Sequence, residues 1–306
     1  MKNSSKVSVL MNCYNSEQYI QNSIQSLINQ TFDEWELIVW DDASTDNTLS
    51  IAHSFIDKRI KIYKNDLHIG LGLSRVKAQE YLKGEYISIL DSDDIYEKDK
   101  LKKQIQAFKE NKNLSLVTSW YSIIDKKNKE MNKIRISNNL SEIKKKLYGD
   151  NIFAHSSIVY KRIEAEKVGW YSNKLEYSQD YDLTIKLLKN NPFFVVQEYL
   201  VKIRDSETSM TRNLSLQSLI LNEHFEILNY IKNNFLLDIN QKKINEENLS
   251  KVNCKMLLLD LQNKLSIKKI FNLMILLIKY PSLIVIIFKY LLLKIKYLLF
   301  KKWWTV

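Results

Sequence analysis

Four times within residues 1–110 a short strand-like run is followed by a segment of helical period, and two of the four runs stop at clustered aspartates. Val7-Ser8-Val9-Leu10-Met11 precedes Ile20, Ile24, Leu27 and Ile28, spaced i, i+4, i+7 and i+8 as on one helix face. Glu36-Leu37-Ile38-Val39-Trp40 precedes a helix from about Asp46, and 60–63 precedes one from about Gly72. Glu85-Tyr86-Ile87-Ser88-Ile89-Leu90 precedes a helix carrying Leu101, Ile105 and Phe108. Repeated β-α units predict a doubly wound, mostly parallel α/β sheet, because parallel strands need a crossover between them. Such sheets bind ligands beyond the carboxyl ends of their strands. Asp41-Asp42 and Asp91-Ser92-Asp93-Asp94 close the second and fourth runs, so both acidic groups are expected on one edge.

Composition narrows the partner rather than the fold. With 45% hydrophobic and 26% charged residues over 306 positions, the chain is ordinary globular material and not disordered. A formal charge of +11, mostly lysine, favours an anionic partner: a nucleotide diphosphate, a nucleic acid or an anionic membrane. Cys13 and Cys254 have no C-x-x-C or histidine spacing, which argues against a disulfide framework or a zinc site. Residues 1–6 are polar and lead straight into the first strand run without the apolar stretch of a secretory signal, so an intracellular protein is expected.

Beyond Asn113 the order is irregular: strand-like 114–120, a lysine-rich polar stretch over 125–146, strand-like 156–160 and a helix after Asp180. After Ser206 the pattern is almost wholly helical. The expected organisation is an α/β catalytic domain over 1–206 and a helical C-terminal region over 207–306, with an apolar, lysine-punctuated tail over about 266–304.

Asp91 and Asp93 stand at i and i+2, so continued strand geometry would point both carboxylates one way, as a hard divalent cation requires. The competing reading is a solvated turn capping the next helix. Asp41-Asp42-Ala43-Ser44-Thr45-Asp46 divides the same way: helix capping by Ser44 or Asp46, or a carboxylate that accepts from a base or ribose. Gly70-Leu71-Gly72 is no dinucleotide fingerprint, because Arg75 stands where the third glycine belongs, and the chain has no phosphate-binding G-x-x-x-x-G-K-[ST] loop. Spacing alone puts Arg75 on a helix surface and makes Asp180 a helix N-cap.

These blocks together resemble the inverting glycosyltransferases of family two, which have the GT-A nucleotide-sugar-binding fold. The resemblance runs from Val7-Ser8-Val9-Leu10-Met11-Asn12-Cys13-Tyr14-Asn15 through Gln30-Thr31-Phe32 and Asp41-Asp42-Ala43-Ser44-Thr45-Asp46-Asn47-Thr48 to Gly84-Glu85-Tyr86-Ile87-Ser88-Ile89-Leu90-Asp91-Ser92-Asp93-Asp94. Ser178-Gln179-Asp180-Tyr181-Asp182-Leu183 resembles the family's later acidic motif. The resemblance implies that Asn12, Tyr14 and Asp42 line a nucleoside pocket, that Arg75 lies near the diphosphate, and that Asp91 and Asp93 form a D-x-D site for Mn²⁺ or Mg²⁺, with Asp93 the more direct ligand. It makes Asp180, in preference to Asp182, the general base that takes the proton from the acceptor hydroxyl. Where many relatives carry a histidine shortly after the arginine past the base helix, this chain has Arg204-Asp205-Ser206-Glu207. His155 is read either as an acceptor-side residue or as an ordinary core or surface histidine.

The tail supplies the location. Residues 270–278 and 280–288 are apolar runs split by Lys279, each short of the roughly 20 residues of a spanning helix. A helix starting near Pro281 would gather Lys289, Lys294, Lys296 and Lys301 on one arc, with Trp303 and Trp304 near the end, as in an interfacial helix; docking on the protein's own core is the other reading. The expectation is a cytoplasmic enzyme on the inner membrane face that transfers one sugar from a nucleotide sugar, a UDP-sugar above all, to a glycolipid or lipid-linked saccharide. Its competitors are transfer to polyprenyl phosphate and a non-catalytic nucleotide-binding scaffold. Nucleic acid is not an expected partner, because the lysines are dispersed and no recognition motif is present.

Overall fold

The computed structural model describes residues 6–189, 191–205, 216–263 and 267–287. β1 (Val7–Cys13) pairs in parallel with β2 (Trp35–Asp41) on one side and β4 (Tyr86–Ile89) on the other, and β2 pairs in parallel with β3 (Ile60–Lys64). β2 is buried along its whole length and β1 except at Asn12, which is why both read as unbroken runs rather than alternating ones. The crossovers are α1 (Ile20–Ile28), α2 (Thr48–His53) and α3 (Leu71–Ala78), with α4 (Lys100–Glu110) after β4. Ile20, Ile24 and Leu27 of α1 and Leu101, Ile105 and Phe108 of α4 are buried in one core with the strands, as their spacing predicts.

The sheet continues past β4 with mixed directions, in the order β3-β2-β1-β4-β8-β6-β9-β5, with β7 on β6. β8 (Val159–Lys161) runs against β4 and β6 (Leu116–Ile124), whereas β6 pairs in parallel with β9 (Phe193–Arg204). β5 (Ile95–Tyr96) and β7 (Glu130–Ile134) run against β9 and β6. Six strands, β1, β2, β3, β4, β6 and β9, therefore share one direction. Because the chain leaves β1 toward β2 and returns on its other side as β4, the crevice at a topological switch point falls beyond the ends of β1 and β4.

A polar seam crosses the opposite end. Ser8 Oγ donates to Glu36 Oε1 (2.6 Å) and accepts from the Lys83 and Gly84 backbone N–H groups, while Lys61 Nζ donates to Glu36 Oε2 (2.6 Å). A Cβ on Gly84 would stand 2.4 Å from the Ser8 nitrogen, so only glycine lets the entry to β4 lie this close to β1.

The polar stretch 125–146 contains β7 and most of α5 (Leu140–Leu147), and one expectation beyond it needs correction. Of 156–160 only the end is strand, because 155–157 forms a 3-10 turn whose hydroxyls bond inward: Ser156 to Asp94 and Ser157 to the Ala154 carbonyl. α6 (Arg162–Val168) and α7 (Gln179–Leu188) lead on to β9.

The chain divides into one unit of Met1–Leu147 with Asn151–Ser209 and a second of Tyr148–Asp150 with Met210–Val306. The second is helical among its described residues: α8 (Gln217–Asn234), α9 (Ile239–Asn263) and α10 (Ile267–Lys279), then a 3-10 turn at Pro281–Leu283. Within it, buried Asn245 donates through Nδ2 to the carbonyls of Tyr148 and Leu228, both at 3.1 Å. No helix among the described residues is long and apolar enough to cross a membrane. The lysine arc Lys289, Lys294, Lys296 and Lys301, with Trp303 and Trp304, lies outside the described residues.

Candidate active site at the carboxyl edge of the sheet

Two loops interlock beyond β1 and β2. Asp42 N donates to the Cys13 carbonyl, and Asn15 Oδ1 accepts from Thr45 N at 2.9 Å. Asp41 accepts from Ser44 N (2.9 Å), closing a tight turn in which Ala43 takes the left-handed φ of 61°. Asp46 Oδ1 accepts from Thr48 N (2.9 Å), at the first residue of α2, whose N-cap residue is Asn47 rather than Ser44 or Asp46. Asp42 serves the next loop: its Oδ1 accepts from Asn65 Nδ2 (2.7 Å) and Ile69 N (3.1 Å), and its Oδ2 from Gly70 N (2.8 Å), with His68 Nδ1 also at 2.8 Å. A buried carboxylate with this many partners fixes the 65–70 loop and hence the start of α3. Tyr14, 43% exposed, stacks on His68 with centroids 3.9 Å apart, and Asn12 offers a buried Nδ2 that donates to nothing among the described residues. Asn12, Tyr14 and Asp42 thus stand together at one end of β1 and β2.

β4 ends at Ile89, so Asp91 and Asp93 do not continue a strand, as the i, i+2 argument supposed. They lie in a turn closed by Asp94 N donating to the Asp91 carbonyl (3.0 Å), and the turn, not the strand, crowds three carboxylates together. Each has a different fate. Asp94 is fixed in the interior, accepting from Ser156 Oγ (2.5 Å) and from the Arg204 backbone N–H (2.9 Å); burial and the neighbouring acids push its carboxyl well up. Burial also pushes Asp91 up, but His155 and Arg75 outweigh it and hold that carboxyl below its ordinary value. Asp93 has no hydrogen-bonded or ion-paired side-chain partner among the described residues, and burial with the Asp91 charge pushes it up to about 6.

Arg75, which spacing alone leaves on a helix surface, is buried at 6% exposure. Its guanidinium lies 3.2 Å from His155 Nδ1 and 3.9 Å from Asp91 Oδ1, and His155 Nε2 is 3.2 Å from the Tyr171 hydroxyl. Burial pushes the Tyr171 hydroxyl up to about 12, against the opposing Arg75 charge and the Tyr160 hydrogen bond, and the charges of Asp180 and Asp91 add smaller pushes in the same direction as burial. Ser178, not Asp180, is the N-cap residue of α7, and Asp180 sits in its first turn, where Oδ2 accepts from Asn151 Nδ2 (2.8 Å). Gln179 binds that turn to α3 by donating to the carbonyls of Gly72 (3.0 Å) and Ser172 (2.6 Å). Asp182 is engaged elsewhere, accepting from Lys186 Nζ one helical turn on (2.6 Å).

Sequence reasoning left Arg204 without a role. It closes the rim: Nε donates to the Asp93 carbonyl (2.9 Å), the terminal nitrogens to the Asp125 carbonyl (2.7 Å) and Asn128 Oδ1 (2.6 Å), and the guanidinium covers the Tyr19 ring at 4.2 Å. Tyr171 was not singled out, and Gln179 and Ser156 were given no role of their own. Each acts through a partner distant in sequence, and no local spacing marks such a residue.

The donor set suits a hard cation only in part supplied by protein. Among the described residues no group of three or more His, Cys, Asp or Glu side chains converges as a metal cage. Asp91 and Asp93 offer carboxylate oxygen, and Asp93 forms no side-chain ion pair among the described residues, the nearby Arg204 charge only partly offsetting burial and Asp91. A cation that keeps several positions for phosphate oxygens fits that set.

An α/β sheet with acidic turns at the carboxyl ends of its parallel strands, extended by β8, β6 and β9, defines a nucleotide-sugar-binding GT-A fold. The chain belongs to glycosyl transferase family 2, whose family model matches residues 8–169. An uncharacterized glycosyltransferase of Methanocaldococcus jannaschii is 35% identical over 204 residues, covering 65% of this chain and 70% of the relative. The UDP-Glc:alpha-D-GlcNAc-diphosphoundecaprenol beta-1,3-glucosyltransferase WfgD of Escherichia coli is 42% identical over 119 residues, 39% of this chain and 47% of that enzyme. Among solved structures, S. aureus TarS 1–349 in complex with UDP-GlcNAc aligns with a TM-score of 0.66 at 20% identity, over 89% of this chain and 79% of that one. The mannosyltransferase PcManGT from Pyrobaculum calidifontis, in complex with GDP-Man and Mn²⁺, aligns with a TM-score of 0.61 at 14% identity, over 90% and 81%. At these identities the two structures speak for the fold.

Proposed function

We propose that this chain is a metal-dependent, inverting glycosyltransferase that moves one sugar per encounter from a UDP-sugar to a glycolipid or lipid-linked saccharide, at the inner face of the membrane, in surface polysaccharide synthesis. The observation that carries the reading is the acidic turn beyond β4, where Asp93 is crowded against Asp91 and forms no side-chain ion pair among the described residues. The diphosphoundecaprenol-linked acceptor in the name of WfgD and the UDP-GlcNAc bound by TarS support the donor and acceptor classes. The Mn²⁺ of PcManGT supports the metal.

In this reading Asn12 Nδ2 donates to the base or ribose, and Tyr14, with His68 behind it, offers a stacking face. Asp42 holds the loop that opens α3. Arg75, fixed by His155, presents positive charge to the diphosphate. Mn²⁺ or Mg²⁺ held by Asp91 and Asp93 would neutralise the charge that develops on the departing nucleoside diphosphate. Asp180 takes the proton from the acceptor hydroxyl through Oδ1, Oδ2 being held by Asn151, as that oxygen attacks the anomeric carbon opposite the leaving group. Attack from that face inverts the configuration.

Transfer from a panel of UDP-sugars, with and without a chelator, tests the proposal. Asp180→Asn is expected to lower transfer by about 10²–10⁴-fold, the usual contribution of a positioned base, with donor affinity retained. A mild Asp180→Asn defect would point to polyprenyl phosphate, an acceptor already ionised. UDP binding without turnover would point to a scaffold.

A further inference from the structure

α10 has two apolar faces, and the structure uses one of them. Leu273, Leu276, Leu277 and Tyr280 pack on Cys254, Leu258 and Leu283. At about 100° per residue, Ile270, Phe271, Met274, Ile275 and Ile278 gather on a separate arc about 140° wide. These five are 38, 62, 56, 48 and 80% exposed, and beyond the turn at Pro281 Ile284 and Val285 are 61 and 55% exposed. A lone exposed leucine needs no explanation, but a contiguous strip of this kind marks a surface that is covered by something.

The charge of this stretch of sequence identifies the cover. Residues 264–306 contain nine lysines and neither aspartate nor glutamate. A lysine-rich, acid-free stretch of sequence that carries an apolar strip complements a bilayer with anionic headgroups, where apolar insertion and headgroup attraction add. A second copy of the chain would bring a second acid-free stretch of the same positive charge, so self-association works against its own charge. At 13 residues α10 is about 20 Å long at 1.5 Å per residue, shorter than the roughly 30 Å of a hydrocarbon core, so a bilayer can receive it only lying in the plane of the surface.

We propose that the outer face of α10, continued by Ile284 and Val285, is a docking surface for anionic lipid bilayers. It rests on the membrane-face location in the proposed function and deepens it, naming the lipid charge and the contact residues on α10, Ile284 and Val285. It lies within the apolar, lysine-punctuated tail over about 266–304 that the sequence marks for membrane association, and places the contact residues upstream of the lysine arc that starts at Lys289.

Flotation of the full chain with phosphatidylcholine vesicles, with and without phosphatidylglycerol, tests it. The chain should rise with the phosphatidylglycerol vesicles, and high salt should weaken that binding. Joint replacement Phe271→Ser, Met274→Ser and Ile278→Ser should cut the bound fraction by at least roughly tenfold, since each removes an inserted apolar side chain. Sugar transfer to a water-soluble acceptor should be unchanged. Ile284→Ser with Val285→Ser gives a second, smaller loss of the same kind. Vesicle binding as strong in both variants as in the parent overturns the proposal, as does a parent chain that ignores phosphatidylglycerol. So does an oligomer in light scattering that the triple variant splits while neither protein floats, which would make the strip a self-association surface. Vesicle binding with no sugar transfer would sink the transferase reading and leave this one standing.

Discussion

A carboxyl group pushed upward makes the metal-free protein respond to acid with an unusual sign. Asp93 lies at about 6 against an ordinary value of 3.8, so between these values the folded chain holds a proton that the unfolded chain has released. Its contribution to stability therefore falls as pH rises from about 4 to about 6, and buried Asp94 adds a slope of the same sign. Denaturant titrations in chelator across that range should show the slope, and Asp93→Asn should reduce it. The same substitution should lower metal-dependent transfer by at least roughly 10²-fold, as loss of a charge-stabilising group in an active site does, while leaving the α/β circular dichroism intact. The acidic residues were legible in the sequence because each closes a run that reads as a buried strand. What surrounds them was not: Arg75 meets His155 across 80 positions, so its burial follows from the folded arrangement and from no local pattern.

Close approach sets the order of the elements. Gly84→Ala would drive a Cβ to 2.4 Å from the Ser8 backbone, which cannot swing aside as a side chain can, so a loss of about 1–3 kcal/mol is expected in urea unfolding, typical of overpacking. Arg204→Lys keeps the charge but loses the three-way fork to the Asp93 and Asp125 carbonyls and Asn128. About 2–4 kcal/mol of stability and a measurable part of the donor affinity should go with it, read by urea unfolding and by calorimetry. The parallel half of the sheet announces itself through mostly apolar, buried runs over β1, β2 and β4, broken only by buried polar residues such as Ser8, Glu36 and Ser88. β7 does not, because Glu130-Met131-Asn132-Lys133-Ile134 lies exposed on β6 and owes its conformation to backbone pairing. The same physics placed Asp91 and Asp93 in a turn where alternation alone extended the strand.

Over the whole chain, the second unit takes in a short piece from far upstream. Asn245 holds Tyr148 and Leu228 through one buried amide, so Asn245→Ala should lower amide exchange protection in α8 and α9 by about 1–3 kcal/mol, the cost of unpaired buried groups, with β1 and β2 unaffected. Sequence reading saw the helices there but not residues 148–150, which carry no helical period of their own. The bond from the Arg204 backbone to Asp94 spans 110 positions and has a kinetic meaning. Contacts so far apart in the chain are costly to close and form late. On the ribosome, the first β-α units can gather while the acidic turn is still slack. The turn is locked only when the two-hundred-and-fourth residue has cleared the exit tunnel, so a nascent enzyme should acquire its grip on donor as one of its last acts of folding.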